Sequence, residues 1–120
     1  MAQEINELVA RVFAIRNAAH LAHWNTKSFA THMALGEFYD GVIDKIDTIV
    51  EAYQGWFDLI GDVPSKTVAF KDITDQIGED AMWISTNRNK ISRDVPMLQN
   101  LLDDLTDLYS STHYKLVHLS

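Results

Sequence analysis

Apolar residues recur at steps of three and four along most of the chain, which is the spacing of one face of an α-helix. In the first segment, from about Gln3 to Trp24, this stripe comprises Ile5, Leu8, Val12, Ile15 and Ala19. In the second segment it comprises His32, Leu35, Tyr39, Val42, Ile43, Ile46, Val50, Tyr53 and Phe57. The pattern predicts two long amphipathic helices.

Polar and helix-breaking residues predict where the second helix begins and ends. Ser28 follows a short polar turn and is of the residue type that caps helix N-termini. Gly61 and Pro64 stop the pattern, so the helix should end near Leu59 or Ile60. We therefore expect a tight turn before this helix and a longer connection, residues 61–71, after it.

The rest of the chain predicts two more helices. The third is expected from Asp72 to about Arg93, and Pro96 lies near the start of the fourth, where proline is tolerated. The inward positions of the third are Ile73, Ile77, Ile84 and Ile91. Those of the fourth are Leu98, Leu101, Leu105, Leu108, Thr112, Leu116 and Leu119. The sequence thus predicts an all-α protein, one domain over residues 1–120 folded as an antiparallel four-helix bundle.

Composition narrows the functional classes. Apolar residues make up 47% of the 120 residues, enough for a packed core, and the absence of cysteine excludes disulfides and thiolate metal sites. The formal net charge is −7, with only ten Lys and Arg, so no nucleic-acid partner is expected. The N-terminus does not have the pattern of a signal peptide, and no apolar run is long enough to span a bilayer. We expect a cytoplasmic protein without a membrane partner.

Acidic residues and histidines are the residues with potential chemistry. Five carboxylates fall within an arc of roughly 80° on the second helix, beside its apolar stripe; they are Glu37, Asp40, Asp44, Asp47 and Glu51. His32 borders this arc, His23 continues the stripe of the first helix, and His20 lies on its flank. Imidazole and carboxylate are metal ligands. The same features also suit a solvated helix face and hydrogen-bonded core histidines.

Several of these residues together resemble a known family. The motif HWN at residues 23–25, His32, EFYD at residues 37–40, and Asp47 with Glu51 are similar to the ferritin-like superfamily. The branch they most resemble is that of the DNA-protection-during-starvation (Dps) proteins. The stretch from His32 to Glu51 aligns with that branch without a gap.

The resemblance implies a ferritin-like fold and an iron site shared between subunits. His23 and His32 of one subunit would pair with Asp47 and Glu51 of its neighbour. Ferrous iron bound there would be oxidised by peroxide or oxygen, and Trp24 would lie beside the site. The implied function is ferroxidase activity or iron sequestration in a homodimer or larger cage.

The sequence departs from the family pattern in ways that leave alternatives open. His20 has the family spacing to His32 if no gap is allowed, so His20 is an alternative ligand to His23. Gly36 stands where the family commonly has an acidic ligand, and Glu37 or Asp40 would have to substitute for it. Gly36 also predicts a close approach between helices. The link at residues 61–71 is short for the family's additional helix, and a lysine-rich DNA-binding tail is absent from the sequence.

Two other hypotheses remain. One is a metal-free structural or protein-interaction bundle that keeps the fold without the metal site. The other is a zinc or manganese site at the same residues without redox chemistry, because these ligand types do not separate the metals. In the metal-free case, replacing the histidines would affect packing only.

Overall fold

The computed structural model describes residues 3–66 and 72–120, which are helical apart from their connections. The helices are α1 (Glu4–Asn25), α2 (Phe29–Trp56), α3 (Ile73–Thr86), α4 (Arg88–Ser92) and α5 (Pro96–His118). The molecule measures 44 × 26 × 21 Å, and its long axis matches α2, whose 28 residues span about 42 Å. The prediction of an all-α helical bundle is confirmed.

Each long helix runs antiparallel to its neighbours. α1 packs against α2, α2 against α5, and α5 against α3, while α3 also contacts α1. Ion pairs between Lys115 and Glu37 and between Lys45 and Asp104 show that α5 runs opposite to α2. α2 and α3 occupy diagonally opposite corners of the bundle and run in the same direction. The chain after α2 therefore returns to the other end of the bundle before α3 begins.

Local sequence signals set three of the helix starts as predicted. The Ser28 hydroxyl accepts a hydrogen bond from the Thr31 N–H at 3.2 Å and caps α2. The Asp72 carboxylate accepts from the Thr74 N–H at 2.9 Å and caps α3. Pro96 occupies the first turn of α5.

The second helix ends at Trp56, earlier than the predicted Leu59 or Ile60. The cause is a tertiary contact: the Asn6 side-chain amide of α1 donates to the carbonyls of Ile60 and Asp62. These bonds hold the chain after α2 against the start of α1 instead of letting the helix continue. Of the predicted connection at residues 61–71, residues 67–71 lie outside the described part of the chain.

The predicted third helix is two helices, α3 and α4, with the break at Asn87. At the break, the Trp83 carbonyl accepts two hydrogen bonds from Asn87, one from its backbone N–H at 3.0 Å and one from its side-chain amide at 2.9 Å. α4 ends where Arg93 and Asp94 adopt left-handed backbone conformations, with φ of 51° and 63°. These two residues reverse the direction of the chain before α5 begins at Pro96.

All five helices contribute to one hydrophobic core. On two of them, α2 and α5, the buried face differs from the predicted apolar stripe. On α2, Phe38 and Ile49 are buried, whereas Tyr39, Ile43 and Val50 are only half-buried, as is Phe57 just after the helix. On α5 the buried heptad is Leu98, Leu102, Leu105, Tyr109, Thr112 and Leu116. Leu101 and Leu108 are half-buried, and Leu119 is exposed. No helix in residues 3–66 or 72–120 has the length and apolar character to cross a membrane.

Candidate metal centre at the α1–α2 turn

The tight turn between α1 and α2 brings His23 and His32 together. The two helices are antiparallel, and both histidines lie close to the turn that joins them, in which Ser28 caps α2. The Nδ1 of His23 lies 2.6 Å from the His32 carbonyl oxygen, and the Nδ1 of His32 lies 2.8 Å from the His23 carbonyl oxygen. The pair therefore holds the end of α1 to the start of α2 through two reciprocal hydrogen bonds.

These bonds determine which ring nitrogen is free. A carbonyl oxygen only accepts, so Nδ1 of both His23 and His32 carries the proton and donates. In a neutral ring this leaves the Nε2 lone pair, and neither Nε2 makes a hydrogen bond to a described residue. Metal-ligating histidines commonly have this arrangement, with one ring N–H donated to a backbone carbonyl and the other nitrogen on the metal.

The relative orientation of the two rings limits what they can bind as they lie. Their centroids are 3.6 Å apart and their planes are inclined by only 18°. A metal bound to an imidazole lies close to the ring plane, about 2 Å from the nitrogen. Two stacked, nearly parallel planes do not meet within that distance. One of the two rings must turn before both can ligate the same ion.

His20 belongs to the same cluster but faces a different neighbour. Its ring stacks on Tyr39 of α2, with centroids 4.0 Å apart, and lies 4.5 Å from the ring of Trp24. Burial, followed by the charges of Arg16 and His23, lowers the pKa of His20 below its ordinary value. The ring is therefore neutral at pH 7, as a ligand must be. Trp24 lies beside the histidines, with 65% of its surface exposed.

Gly36 provides the space for His23. A Cβ at this position would lie 3.1 Å from Cε1 and 3.3 Å from Nδ1 of the His23 ring, closer than ordinary contacts. The close approach predicted at Gly36 is thus a histidine ring packed on the α2 backbone. A carboxylate side chain at this position would displace that ring.

The candidate carboxylate ligands lie far from the histidines of the same chain. Asp47 and Glu51 follow His32 by 15 and 19 residues on one continuous helix, which separates them from it by about 22 and 28 Å. Both are exposed on the outer face of α2. Within the described part of the chain, no three His, Asp or Glu side chains lie close enough to hold one metal ion. Only a second copy could bring Asp47 and Glu51 to His23 and His32.

The other acidic residues of α2 divide between two sides of the helix. Glu37 forms an ion pair with Lys115 of α5 at 3.1 Å, so it is turned away from His23. Asp44 lines a cleft of about 250 Å³ between α2 and α5, beside the Lys45–Asp104 ion pair. Asp40 is exposed on the outer face, one position from Tyr39. Of the two acidic residues considered as substitutes at Gly36, Asp40 is the better placed.

A buried carboxylate on α3, Asp80, was not predicted from the sequence. It is 2% exposed, and its Oδ1 accepts from Arg11 Nη1 at 3.2 Å and from Gln76 Nε2 at 3.1 Å. Burial raises the pKa of Asp80 above its ordinary value, although these two partners oppose the shift. The spacing of the sequence did indicate this burial, because Asp80 lies on the same face of α3 as the apolar Ile77 and Ile84.

The raised pKa of Asp80 predicts a pH dependence of stability. A carboxyl group whose pKa is raised by folding stabilises the fold fully below its unfolded pKa, and this contribution is lost as the pH rises through the folded pKa. We expect Asp80→Asn to gain stability relative to the wild type as the pH rises above the ordinary carboxyl pKa, towards the raised pKa of Asp80 in the folded protein. Urea unfolding of both proteins at several pH values measures the difference. A difference in the free energy of unfolding that stays constant with pH would contradict a raised pKa of Asp80.

Gly36 offers a test of the packing of His23. Gly36→Ala gains up to about 1 kcal/mol in helix propensity but must push the ring aside. Gly41→Ala is the matched control, since its Cβ would meet Leu108 Cδ2 at an ordinary 3.4 Å. We expect Gly41→Ala to stabilise the protein in urea unfolding, and Gly36→Ala to stabilise it less or not at all and to shift the imidazole NMR signals of His23. Equal stabilisation with unchanged signals would disprove the contact.

Comparisons with known proteins place the chain among relatives without an assigned activity. An uncharacterized 14.6 kDa protein in the mobD-ri intergenic region of Enterobacteria phage T4 is 28% identical over 111 residues, which cover 92% of this chain and 86% of that protein. No solved structure matches the chain significantly. A family of unknown function, DUF5856, matches residues 23–116, a range that includes every candidate ligand except His20. The chain therefore belongs to the DUF5856 family.

Proposed function

We propose that this protein binds ferrous iron between two copies of the chain and oxidises or sequesters it. The observation that carries the proposal is the pair of reciprocal bonds from Nδ1 of His23 and His32 to backbone carbonyls, which leaves both Nε2 atoms free beside Trp24. The ligands would be these histidines from one protomer and Asp47 and Glu51 from its partner.

The arrangement of the helices supports the proposal of a ferritin-like fold. A bundle in which neighbours are antiparallel, and the second and third long helices run in the same direction on a diagonal, needs one long crossover connection. One such crossover is the connectivity of ferritin-like bundles. The resemblance around residues 23–51 points to the Dps branch of that superfamily.

Each ligand type has a distinct chemical task. Hard, anionic carboxylates of Asp47 and Glu51 stabilise Fe(III) more than Fe(II) and so favour oxidation, while imidazole binds iron in either state. One of the two stacked rings turns outward to admit the ion. The exposed acidic face of α2 attracts cations towards the site, in a chain whose net charge is −7.

The test is an anaerobic Fe(II) titration by calorimetry. We expect saturable binding to the wild type, and its loss in His32→Ala and in Asp47→Ala while both variants stay folded. Asp107→Ala, which removes an exposed carboxylate of α5, is the control and should bind like the wild type. Admitting oxygen and following the near-ultraviolet absorbance of ferric iron then measures oxidation. A wild type that does not bind Fe(II) would refute the proposal, and saturable zinc or manganese binding in its place would support a non-redox site.

A metal-free interaction bundle is the second candidate, and the stacking of His23 on His32 favours it. Rings 3.6 Å apart, each bonded to the other's backbone, form a clasp between α1 and α2 that needs no ion. In this case His32→Ala lowers stability without changing the metal content of the purified protein. Metal analysis of the wild type and His32→Ala distinguishes the two candidates.

A further inference from the structure

A groove of about 360 Å³ runs between α3 and α5, on a side of the bundle away from the outer face of α2. The α3 side of the groove is lined by Gly78, Ala81 and Ser85, and the α5 side by Thr106 and Ser110. All five residues have short side chains, so another helix could come close to the backbone of α3 here. Ser85 and Ser110 are exposed, so the described part of the chain leaves the groove uncovered.

Met82 lies beside this groove and is 69% exposed, although its side chain is apolar. Methionine is flexible enough to fill irregular gaps, and it is enriched in protein interfaces. At one end of the groove, the His113 ring lies against the α3 backbone, where a Cβ at Gly78 would meet its Nε2 at 3.0 Å. This contact holds α5 at a fixed spacing from α3. The surface thus has both a projecting apolar side chain and a recess beside it.

Charges of opposite sign lie at the two ends of the groove. The exposed carboxylates of Asp75 and Glu79 belong to the first half of α3, whereas Arg88 and the exposed Lys90 follow its end, on α4. Arg88 donates from Nε and Nη2 to the carboxylate of Asp103, at 2.6 and 2.8 Å. A guanidinium has five N–H donors, so Arg88 can bind a second carboxylate in addition to that of Asp103.

These positions are symmetric about one point of α3. The midpoint between Asp75 and Arg88 falls next to Met82, and the first and last groove residues of α3 are symmetric about the same point. A two-fold axis through that point would place Asp75 of one copy opposite Arg88 of the other, and small residues opposite small residues. On α5, the same axis would bring the exposed Asp107 of one copy near His113 of the other.

We propose that this groove is an interface between two copies of the chain, whose α3 helices pack antiparallel about a two-fold axis beside Met82. Each Met82 fills part of the groove of the other copy, and each acidic end meets the end that carries Arg88. A second copy suits the surface better than a different protein, because the surface is complementary to itself in shape and charge. The interface is separate from the α2 face of the proposed metal site, so copies that use both surfaces form an assembly larger than a dimer.

The test uses single cysteines, because the chain contains none of its own. Met82→Cys places a thiol beside the proposed axis, where the same residue of the second copy is near; a disulfide needs Cα atoms within about 7 Å. Met33→Cys is the matched control, the same change at a 46% exposed methionine of α2 that lies far from this axis. We expect Met82→Cys to form a disulfide-linked dimer at least about ten times faster under mild oxidation, because the interface raises the effective concentration of the second thiol.

A charge reversal tests the pairing of the two ends of the groove. Adding Asp75→Lys to Met82→Cys sets like charges opposite each other and should slow disulfide formation several-fold. Adding Asp62→Lys, which reverses an exposed charge outside the groove, should leave the rate unchanged. Met82→Cys that links no faster than Met33→Cys, or a rate that Asp75→Lys does not lower, would overturn the proposal. These reactions are run with a chelator and without iron, so their outcome is independent of whether the protein binds Fe(II).

Discussion

Phe38→Ala should destabilise the protein by about 3–5 kcal/mol, the usual cost of removing a buried aromatic ring. Phe38 is fully buried in the first half of α2 and packs edge-to-face on Tyr109 of α5. Its removal leaves a cavity where α2 meets α5, and the surrounding backbone is helical and cannot collapse fully into it. Because a domain of this size is stable by only about 5–15 kcal/mol, part of the population would unfold at 37 °C.

Phe29→Ala is the control for this prediction. It makes the same chemical change on the same helix, but Phe29 is 76% exposed at the first position of α2. We expect its effect on the free energy of unfolding to stay within about 0.5 kcal/mol. Urea unfolding followed by circular dichroism measures both variants. Similar losses at the two positions would mean that the α2–α5 interface is not packed as described.

The helix starts were predictable because each is encoded locally. Ser28, Asp72 and Pro96 act within the first turn of their own helices, so their residue types were sufficient to place α2, α3 and α5. The end of α2 was not predictable, because it is set by Asn6, which is more than 50 residues away in sequence. The register of α5 was missed for a related reason: a leucine heptad fits two adjacent faces, and packing against Phe38 selects the one with Tyr109.

The candidate site was only partly predictable. Its histidines could be identified from their spacing about a short turn, and the structure brings His23 and His32 into contact. Their stacking depends on side-chain rotation, which residue spacing does not encode. The stacking of His20 on Tyr39 was not predictable either, because the hydrophobic pattern does not determine how α1 and α2 are rotated relative to each other. The distance from His32 to the carboxylates of Asp47 and Glu51 follows directly from the helical rise. The sequence and the structure therefore lead to the same prediction, that a second copy of the chain is needed to complete the site.

Mixing two inactive variants should restore iron binding if the site is shared. One variant, His23→Ala with His32→Ala, keeps only the carboxylate half, and the other, Asp47→Ala with Glu51→Ala, keeps only the histidine half. Loss of groups that merely orient metal ligands costs about 10–100-fold in affinity, so loss of two ligands should abolish saturable binding in each variant alone. The expected change on mixing is therefore large.

The geometry of a two-fold dimer explains why mixing should work. In an antiparallel pairing of two α2 helices, the axis must pass near residues 39–42, midway between His32 and the carboxylates at 47 and 51. Each of two symmetric sites then takes its histidines and carboxylates from different protomers. The exposed Asp40 side chains of the two copies would approach each other near this axis. Their repulsion means that divalent cations should strengthen the dimer.

The shared metal site is tested most directly by anaerobic Fe(II) titration of the two double variants, separately and after they are unfolded and refolded together in equal amounts. Half of the dimers would then be mixed, each with one complete site of two, so we expect saturable binding at about a quarter of the wild-type stoichiometry. Neither variant alone should bind. Wild-type binding that mixing fails to restore, or binding that one double variant retains by itself, would contradict a metal site shared between two copies of this chain.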